Sequence, residues 1–187
     1  VWIIVKRKIV EMPFFIAAGN LAWEFVWSFF YHPDTGELYS LSYQGAFLLD
    51  CFIFYHAYKY GDKLVNDPQI KKLFKPILIG SLIMWLPLNY FFVYNGFDTS
   101  IGSNSGYILN LFISILYPYV MLKTSADYFS TTIAWFKMLG TGFITVSMFL
   151  IFPENYFVQV LGVFCFLLDS LYIYLLQIKK RELKSAS

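Results

Sequence analysis

Six long apolar runs divide this 187-residue chain into segments that can each cross a lipid bilayer. A helix needs about twenty residues to span a hydrocarbon core of about 30 Å. Helices are also the structure that satisfies every backbone hydrogen bond within one segment inside a bilayer. The sequence therefore predicts an all-α, polytopic transmembrane helix bundle that forms a single domain over residues 1–187. The predicted spans, labelled A to F, are Met12–Tyr31, Ser42–Tyr60, Pro76–Tyr94, Gly106–Leu122, Thr131–Phe152 and Tyr156–Ile178.

The composition and the first residues support a membrane protein. Hydrophobic residues make up 58% of the chain and charged residues only 14%, a balance that would cause aggregation in water. The apolar segment Val1–Val5 stands before three basic residues, so we expect it to be the end of a seventh span that precedes A.

The basic residues predict the orientation of the bundle. All fourteen lie before A, after F, or in and beside the B–C and D–E connections, with Lys123 and Lys137 flanking the connection between D and E. Because Lys and Arg are retained on the cytoplasmic side, we expect the C-terminus to be cytoplasmic. The net charge of +2 is then a topology signal, and no nucleic-acid partner is expected.

Three acids interrupt spans that are otherwise apolar: Glu24 in A, Asp50 in B and Asp169 in F. A carboxylate in hydrocarbon costs several kcal/mol, so such an acid is neutral, paired or in a cavity, and it marks a functional site by default. At about 1.5 Å of rise per residue, the acids lie roughly 10, 12 and 20 Å below the outer surface, and we expect them to share one interior site. Asp50 has a structural alternative, since it can hydrogen-bond a neighbouring helix. The residues expected around the acids are Asn20, Trp23, Trp27, Trp85, Asn89, Asn110 and Tyr172, although such aromatic side chains also serve simply as packing.

Several chemistries are excluded by what the chain lacks. It has no Ser, His and Asp at one depth, no glycine-rich phosphate loop and no zinc-ligand spacing. It also has no aspartate-rich run to hold magnesium against a diphosphate. We therefore expect neither a metal nor an organic cofactor.

Four short motifs resemble a known family when they are taken in order along the chain. Met12-Pro13 and the segment Asn20–Phe25 resemble the MP…NxxWEF signature of the small membrane-integral terpene cyclases of fungal meroterpenoid and indole-diterpene pathways, which have bacterial relatives. The WEF motif is fairly specific, whereas the later motifs are individually weak. These later motifs are Leu49-Asp50 leading to Lys59-Tyr60-Gly61, Asn110-Leu111 with Ser114-Ile115-Leu116, and Leu168-Asp169 with Tyr172.

The resemblance implies a seven-helix bundle that cyclises a linear prenyl chain, commonly one with a terminal epoxide and an aromatic head group. The two acids essential to the family would correspond to Glu24 and Asp169. An acid in a low-dielectric interior retains the proton that it must deliver to an epoxide or an alkene. Glu24 is our candidate donor, and Asp169 would orient it or hold the second proton of a coupled pair. The aromatic side chains would stabilise carbocations by about 0.5–2 kcal/mol each.

The prediction is therefore an integral membrane terpene cyclase of isomerase or lyase type, which takes a lipophilic prenylated substrate from the bilayer. The alternative is a small proton-coupled transporter or a lipophilic-ligand-binding membrane protein, in which the buried acids form a relay. A transporter is expected to have polar residues that continue to both membrane faces, but the inner halves of A, C and F are strongly apolar. A structural membrane subunit is a third class, and it would not need Glu24.

Overall fold

The computed structural model describes residues 2–31 and 36–185, and nearly all of this part of the chain is helical. No strand occurs within these two ranges, which confirms the all-α class. Val1 of the expected seventh span and residues 32–35 of the expected outer loop between A and B lie outside the described residues. The helices are α1 (Trp2–Arg7), α2 (Phe14–Phe29), α3 (Glu37–Tyr60), α4 (Pro68–Lys72), α5 (Phe74–Tyr94), α6 (Ser103–Lys123), α7 (Thr131–Ile151) and α8 (Tyr156–Ser185).

Four of these helices, α5 to α8, are long and apolar enough to cross a membrane. This finding supports an integral membrane protein, but it confirms only four of the six expected spans. The helix of span A, α2, has 16 residues and is about 24 Å long. The helix of span B, α3, is long enough, but it is less apolar than α5 to α8, because Ser, Tyr and Gln residues are frequent in its first half and Asp50 lies near its middle.

The residues form two compact units, Val1–Leu109 and Asn110–Ser187, and the boundary falls within α6. In the first unit α2 packs against both α3 and α5, and in the second α7 packs against α8. The expected single domain over residues 1–187 stays a prediction.

Small side chains on α2 hold the first unit together. Ala17, Ala18, Gly19 and Ala22 are buried on this helix. A Cβ on Gly19 would lie 2.8 Å from Cδ2 of Leu109, so the absence of a side chain allows close approach. Small residues commonly serve this purpose where membrane helices pack. The contact fixes the helix that carries Trp23 and Glu24.

In the second unit, α7 and α8 each bury one stripe of residues. The spacing alternates between three and four residues, as expected for one face of a packed helix. A Cβ on Gly162 of α8 would overlap Thr145 of α7, so these two helices approach closely there. The buried stripe of α8 includes Gly162, Cys165, Asp169 and Tyr172. Asp169 therefore faces the packed interior of this unit.

Candidate active site

Glu24 and Asp50 form an acidic pair in the first unit. Oε2 of Glu24 is buried and has no hydrogen-bond partner among the described residues. Asp50 is 9% exposed, and its carboxyl group interacts electrostatically with that of Glu24. Burial disfavours each carboxylate, and the two would also repel each other in a low-dielectric setting, so the pair favours a state that retains a proton. The arrangement thus suits a group that donates a proton.

An aromatic cluster stands beside this pair. The ring centroids of Trp23 and Trp27 are 6.0 Å apart, and Tyr43 packs edge-on against Trp23 at 5.3 Å. The Tyr43 hydroxyl interacts electrostatically with Glu24 and donates a hydrogen bond to the Ile101 carbonyl at 2.8 Å. Aromatic faces carry negative electrostatic potential, so this cluster can attract a cation.

A hydrogen-bonded chain positions the Trp23 indole. Trp23 Nε1 donates to Ser105 Oγ at 2.7 Å, and the Ser105 hydroxyl donates to the Asp98 carboxylate. Asp98 Oδ1 also accepts from the backbone N–H groups of Thr99 at 2.8 Å and Asn104 at 2.9 Å, at the start of α6. Burial raises the pKa of the Asp98 carboxyl, and its hydrogen bonds with Ser105, Thr99 and Asn104 oppose that rise. A carboxylate at a helix N-terminus is favourable, so Asp98 joins this helix start to Trp23.

The other predicted site residues of the first unit lie on α2 and α5. Trp85 is 9% exposed and packs against Phe15 with ring centroids 5.4 Å apart. Asn89 follows one turn later on the same buried face, and its Nδ2 has no hydrogen-bond partner in the described ranges. Asn20 is half-buried, one turn before Glu24. An unsatisfied buried amide costs about 1–3 kcal/mol, so Asn89 is available to an acceptor group.

Asp169 forms an ion pair in the second unit. Lys137 Nζ donates to Asp169 Oδ1 at 2.5 Å and to Oδ2 at 2.6 Å. It also donates to Ser114 Oγ at 2.8 Å. The sequence predicted Lys137 only as a basic residue beside the connection between D and E; in the structure it is the seventh residue of α7, and its side chain points to an acid of α8.

The remaining predicted residues also lie in the second unit. Asn110 Nδ2 donates to Thr141 Oγ1 at 3.2 Å. Tyr172 is 1% exposed, and its ring centroid lies 5.6 Å from that of Tyr117. The prediction that Glu24, Asp50 and Asp169 share one site joins residues of two units and stays a prediction.

Sequence reasoning missed Lys137, Ser114 and the pair of Asp98 and Ser105. For Lys137 a signal was present, because an ammonium group inside a span requires an acidic partner. For Asp98 and Ser105 the sequence offered only a polar loop. In the part of the chain that the structure describes, no three His, Cys, Asp or Glu side chains cluster closely enough to hold a metal ion.

The sequence matches a protein family over residues 1–181, which is nearly its whole length. That family is described as the Pyr4-like transmembrane terpene cyclases. No match was found among the curated proteins or the solved structures. The family match agrees with the four apolar helices and with the resemblance carried by the WEF motif. The chain therefore belongs to the family of Pyr4-like transmembrane terpene cyclases.

Proposed function

We propose that this cyclase is metal-independent and starts its reaction by proton transfer from Glu24 to a terminal epoxide or alkene of a linear prenyl chain. The family supplies the reaction class and implies a lipophilic substrate in a membrane. The observation that supports the donor assignment is Oε2 of Glu24, which is buried without a hydrogen-bond partner among the described residues. A carboxyl oxygen that makes no hydrogen bond within the fold is free to bind a substrate oxygen. The family match gives no support to the transporter alternative.

The proposed steps balance as an isomerisation. The Glu24 O–H bond breaks as its proton goes to the epoxide oxygen, and the C–O bond opens to leave a tertiary cation. Alkene π electrons then attack this cation and form the rings. The last cation loses a proton to a carboxylate and gives the product alkene, and the Glu24 carboxylate regains a proton to complete the cycle. One proton enters and one leaves, so the product has the mass of the substrate.

The aromatic cluster of Trp23, Trp27 and Tyr43 would stabilise the cations. Each ring contributes about 0.5–2 kcal/mol when a cation lies over its face. The indole of Trp23 is held by Ser105, which limits its rotation. A prenyl chain folded against this cluster would therefore be guided as well as stabilised.

We propose Asp169 as the second acid required for turnover, on the basis of the LDxxY resemblance. An aromatic head group on the prenyl chain, as in meroterpenoids, is the substrate class that we favour.

The C-terminus is proposed to be cytoplasmic. Lys137 pairs with Asp169 and is therefore left out of the topology count, and the other thirteen basic residues favour this orientation. The further residues proposed to contact or surround the substrate are Asp50, Asn20, Asn110, Trp85, Asn89 and Tyr172.

The test is conversion of a farnesyl arene with a terminal epoxide by the purified protein in nanodiscs. We expect a cyclic product of unchanged mass, formed equally well in the presence of a chelator. Glu24→Gln should reduce turnover by about 10²–10⁴-fold, because the amide cannot donate an acidic proton. The control is Glu37→Gln, a change at an exposed position of α3.

Deuterated water distinguishes the two modes of initiation. Protonation of an alkene leaves a carbon-bound deuterium in the product, whereas protonation of an epoxide leaves an O–D group that exchanges back. If neither the epoxidised nor the plain farnesyl arene yields a ring, the proposed substrate class is wrong. If Glu24→Gln cyclises at the wild-type rate, the donor assignment is wrong.

A further inference from the structure

We infer that Lys137 is a positioning residue of this cyclase, which holds Asp169 as an ionised carboxylate of fixed orientation. Asp169 would then act in turnover as an anion and not as a proton donor. This inference rests on the proposed function only in one respect, namely that turnover requires Asp169. The charge state of Asp169 follows from the second unit alone.

The hydrogen bonds of Lys137 match those of an ammonium ion. A protonated lysine has three N–H donors and no acceptor. Three oxygen atoms accept from Nζ within 2.8 Å: both carboxylate oxygens of Asp169 and the hydroxyl of Ser114. All three donors are thus used, and each Asp169 oxygen receives one of them. A charge-assisted pair with two bonds of 2.5 and 2.6 Å fixes both the position and the plane of the carboxylate.

Lys137 and Asp169 are both buried, so each can remain charged only while the other is charged. The side chains of Lys137 and Asp169 are only 14% and 2% exposed. A charge of either sign alone would be costly at this burial, whereas a hydrogen-bonded pair is tolerated. Ser114 is fully buried, so its hydroxyl holds the ammonium from the α6 side.

No second acid of the second unit shares a proton with Asp169. The other acids of this unit, Asp127, Glu154 and Glu182, lie in connecting segments or in the last turns of α8. Among the described residues, the Cys165 thiol is a further titratable group that interacts electrostatically with Lys137 and Asp169. A thiol is a weak acid compared with a carboxyl group. The negative charge of the cluster therefore resides on Asp169.

This assignment changes the chemistry available to Asp169. A carboxylate can accept a proton or balance a positive charge, but it has no proton to give. The sequence-based expectation that Asp169 holds the second proton of a coupled pair therefore differs from what this geometry favours. Lys137 acts through Asp169, so its removal should alter the charge of Asp169 as well as turnover.

Infrared difference spectroscopy tests the charge directly. We expect the wild-type protein to show no protonated-carboxyl C=O band that disappears in Asp169→Asn. In Lys137→Met such a band should appear, because the lone acid takes up a proton, and it should vanish in the double variant Lys137→Met with Asp169→Asn. Lys72→Met, at an exposed position of α4, is the matched control and should leave the spectrum unchanged.

Turnover of the epoxidised farnesyl arene tests the positioning role. Lys137→Met should lose about a hundredfold or more, and Lys137→Arg, which retains the charge, should recover part of that loss. An Asp169-dependent protonated-carboxyl band in the wild type would overturn the inference, and so would wild-type turnover by Lys137→Met. Should Lys137→Met fail to fold, the comparison of wild type with Asp169→Asn still determines the charge. Should the wild type cyclise no prenyl arene, the proposed function fails while the infrared result stands.

Discussion

Replacing Glu24 with leucine should make the protein more stable and nearly inactive. Oε2 of Glu24 is buried without a hydrogen-bond partner among the described residues, and the neighbouring charged group is another acid, Asp50. An unsatisfied buried polar group costs about 1–3 kcal/mol. Leucine removes that cost and is similar in size to glutamate, so we expect the melting temperature to rise. Natural functional residues often show this conflict between stability and activity.

The loss of activity can be estimated from the role of the missing proton. General acid catalysis contributes about 10²–10⁴-fold, which is about 3–5 kcal/mol of transition-state stabilisation at roughly 1.4 kcal/mol per factor of ten. Glu24→Leu should therefore lose at least a hundredfold in turnover while it gains stability. Thermal unfolding and product formation would be measured on the same nanodisc preparation, with Glu37→Leu as the exposed control.

Two outcomes would refute this reasoning. A lower melting temperature for Glu24→Leu would mean that Glu24 makes a structural interaction that stabilises the fold. Wild-type turnover would mean that another group supplies the proton. Glu24→Gln separates the two roles further, because it retains polarity at the same size but lacks the acidic proton.

Three further predictions concern orientation, the aromatic cluster and the start of α6. In a cysteine-free background, Ser100→Cys should react with a membrane-impermeant thiol reagent in intact cells and Asn66→Cys should not; the opposite pattern would reverse the bundle. Trp23→Leu should change the ratio of cyclic products together with the rate, whereas Trp135→Leu, on an exposed face of α7, should change neither; an unchanged ratio for Trp23→Leu would argue against cation stabilisation. Gly102→Ala should lower the melting temperature, since its φ is +71° and a Cβ there would lie 2.6 Å from the Trp27 ring; an unchanged melting temperature would contradict this contact.

The apolar runs predicted where most helices lie, because burial in hydrocarbon is decided by composition. Span E and α7 differ by one residue at the C-terminal end. The apolar runs did not predict the residues at which the backbone hydrogen bonding of each helix begins and ends. Helix α8 continues from Ile178 to Ser185 through a charged segment, and α3 begins at Glu37, before its apolar run. Hydropathy indicates the limits of the apolar core, whereas a helix can extend beyond them into water.

The candidate acids were predictable one by one, but their partners were not. The free-energy cost of an acid within hydrocarbon is enough to identify Glu24 and Asp169 as candidates, since each interrupts an apolar helix. The partner of an acid is set by helix rotation and by contacts distant in sequence, such as that of Lys137 with Asp169 over 32 positions. The positive-inside rule used Lys137 only as a topology signal beside the connection between D and E, which did not indicate its acidic partner. Asp98 and Ser105 were missed because their role depends on where Trp23 packs.

The two acids proposed for turnover differ in their neighbours, and this difference assigns their chemistry. Glu24 is buried beside a second acid, Asp50, so burial first and the neighbouring carboxyl group second favour retention of a proton. Asp169 has Lys137 as its neighbour, which favours the carboxylate. Enzymes commonly give an acid role to one carboxyl group and a base role to another by placing them in such different environments.

The charge of the neighbouring residue should therefore matter more for turnover than its size. Asp50→Lys should turn Glu24 into an anion and abolish initiation. Asp50→Asn should leave Glu24 protonated, because burial alone still disfavours its anion, and should retain cyclisation, which the same arene assay can measure. Cyclisation by Asp50→Lys at the wild-type rate would show that initiation does not depend on a protonated Glu24.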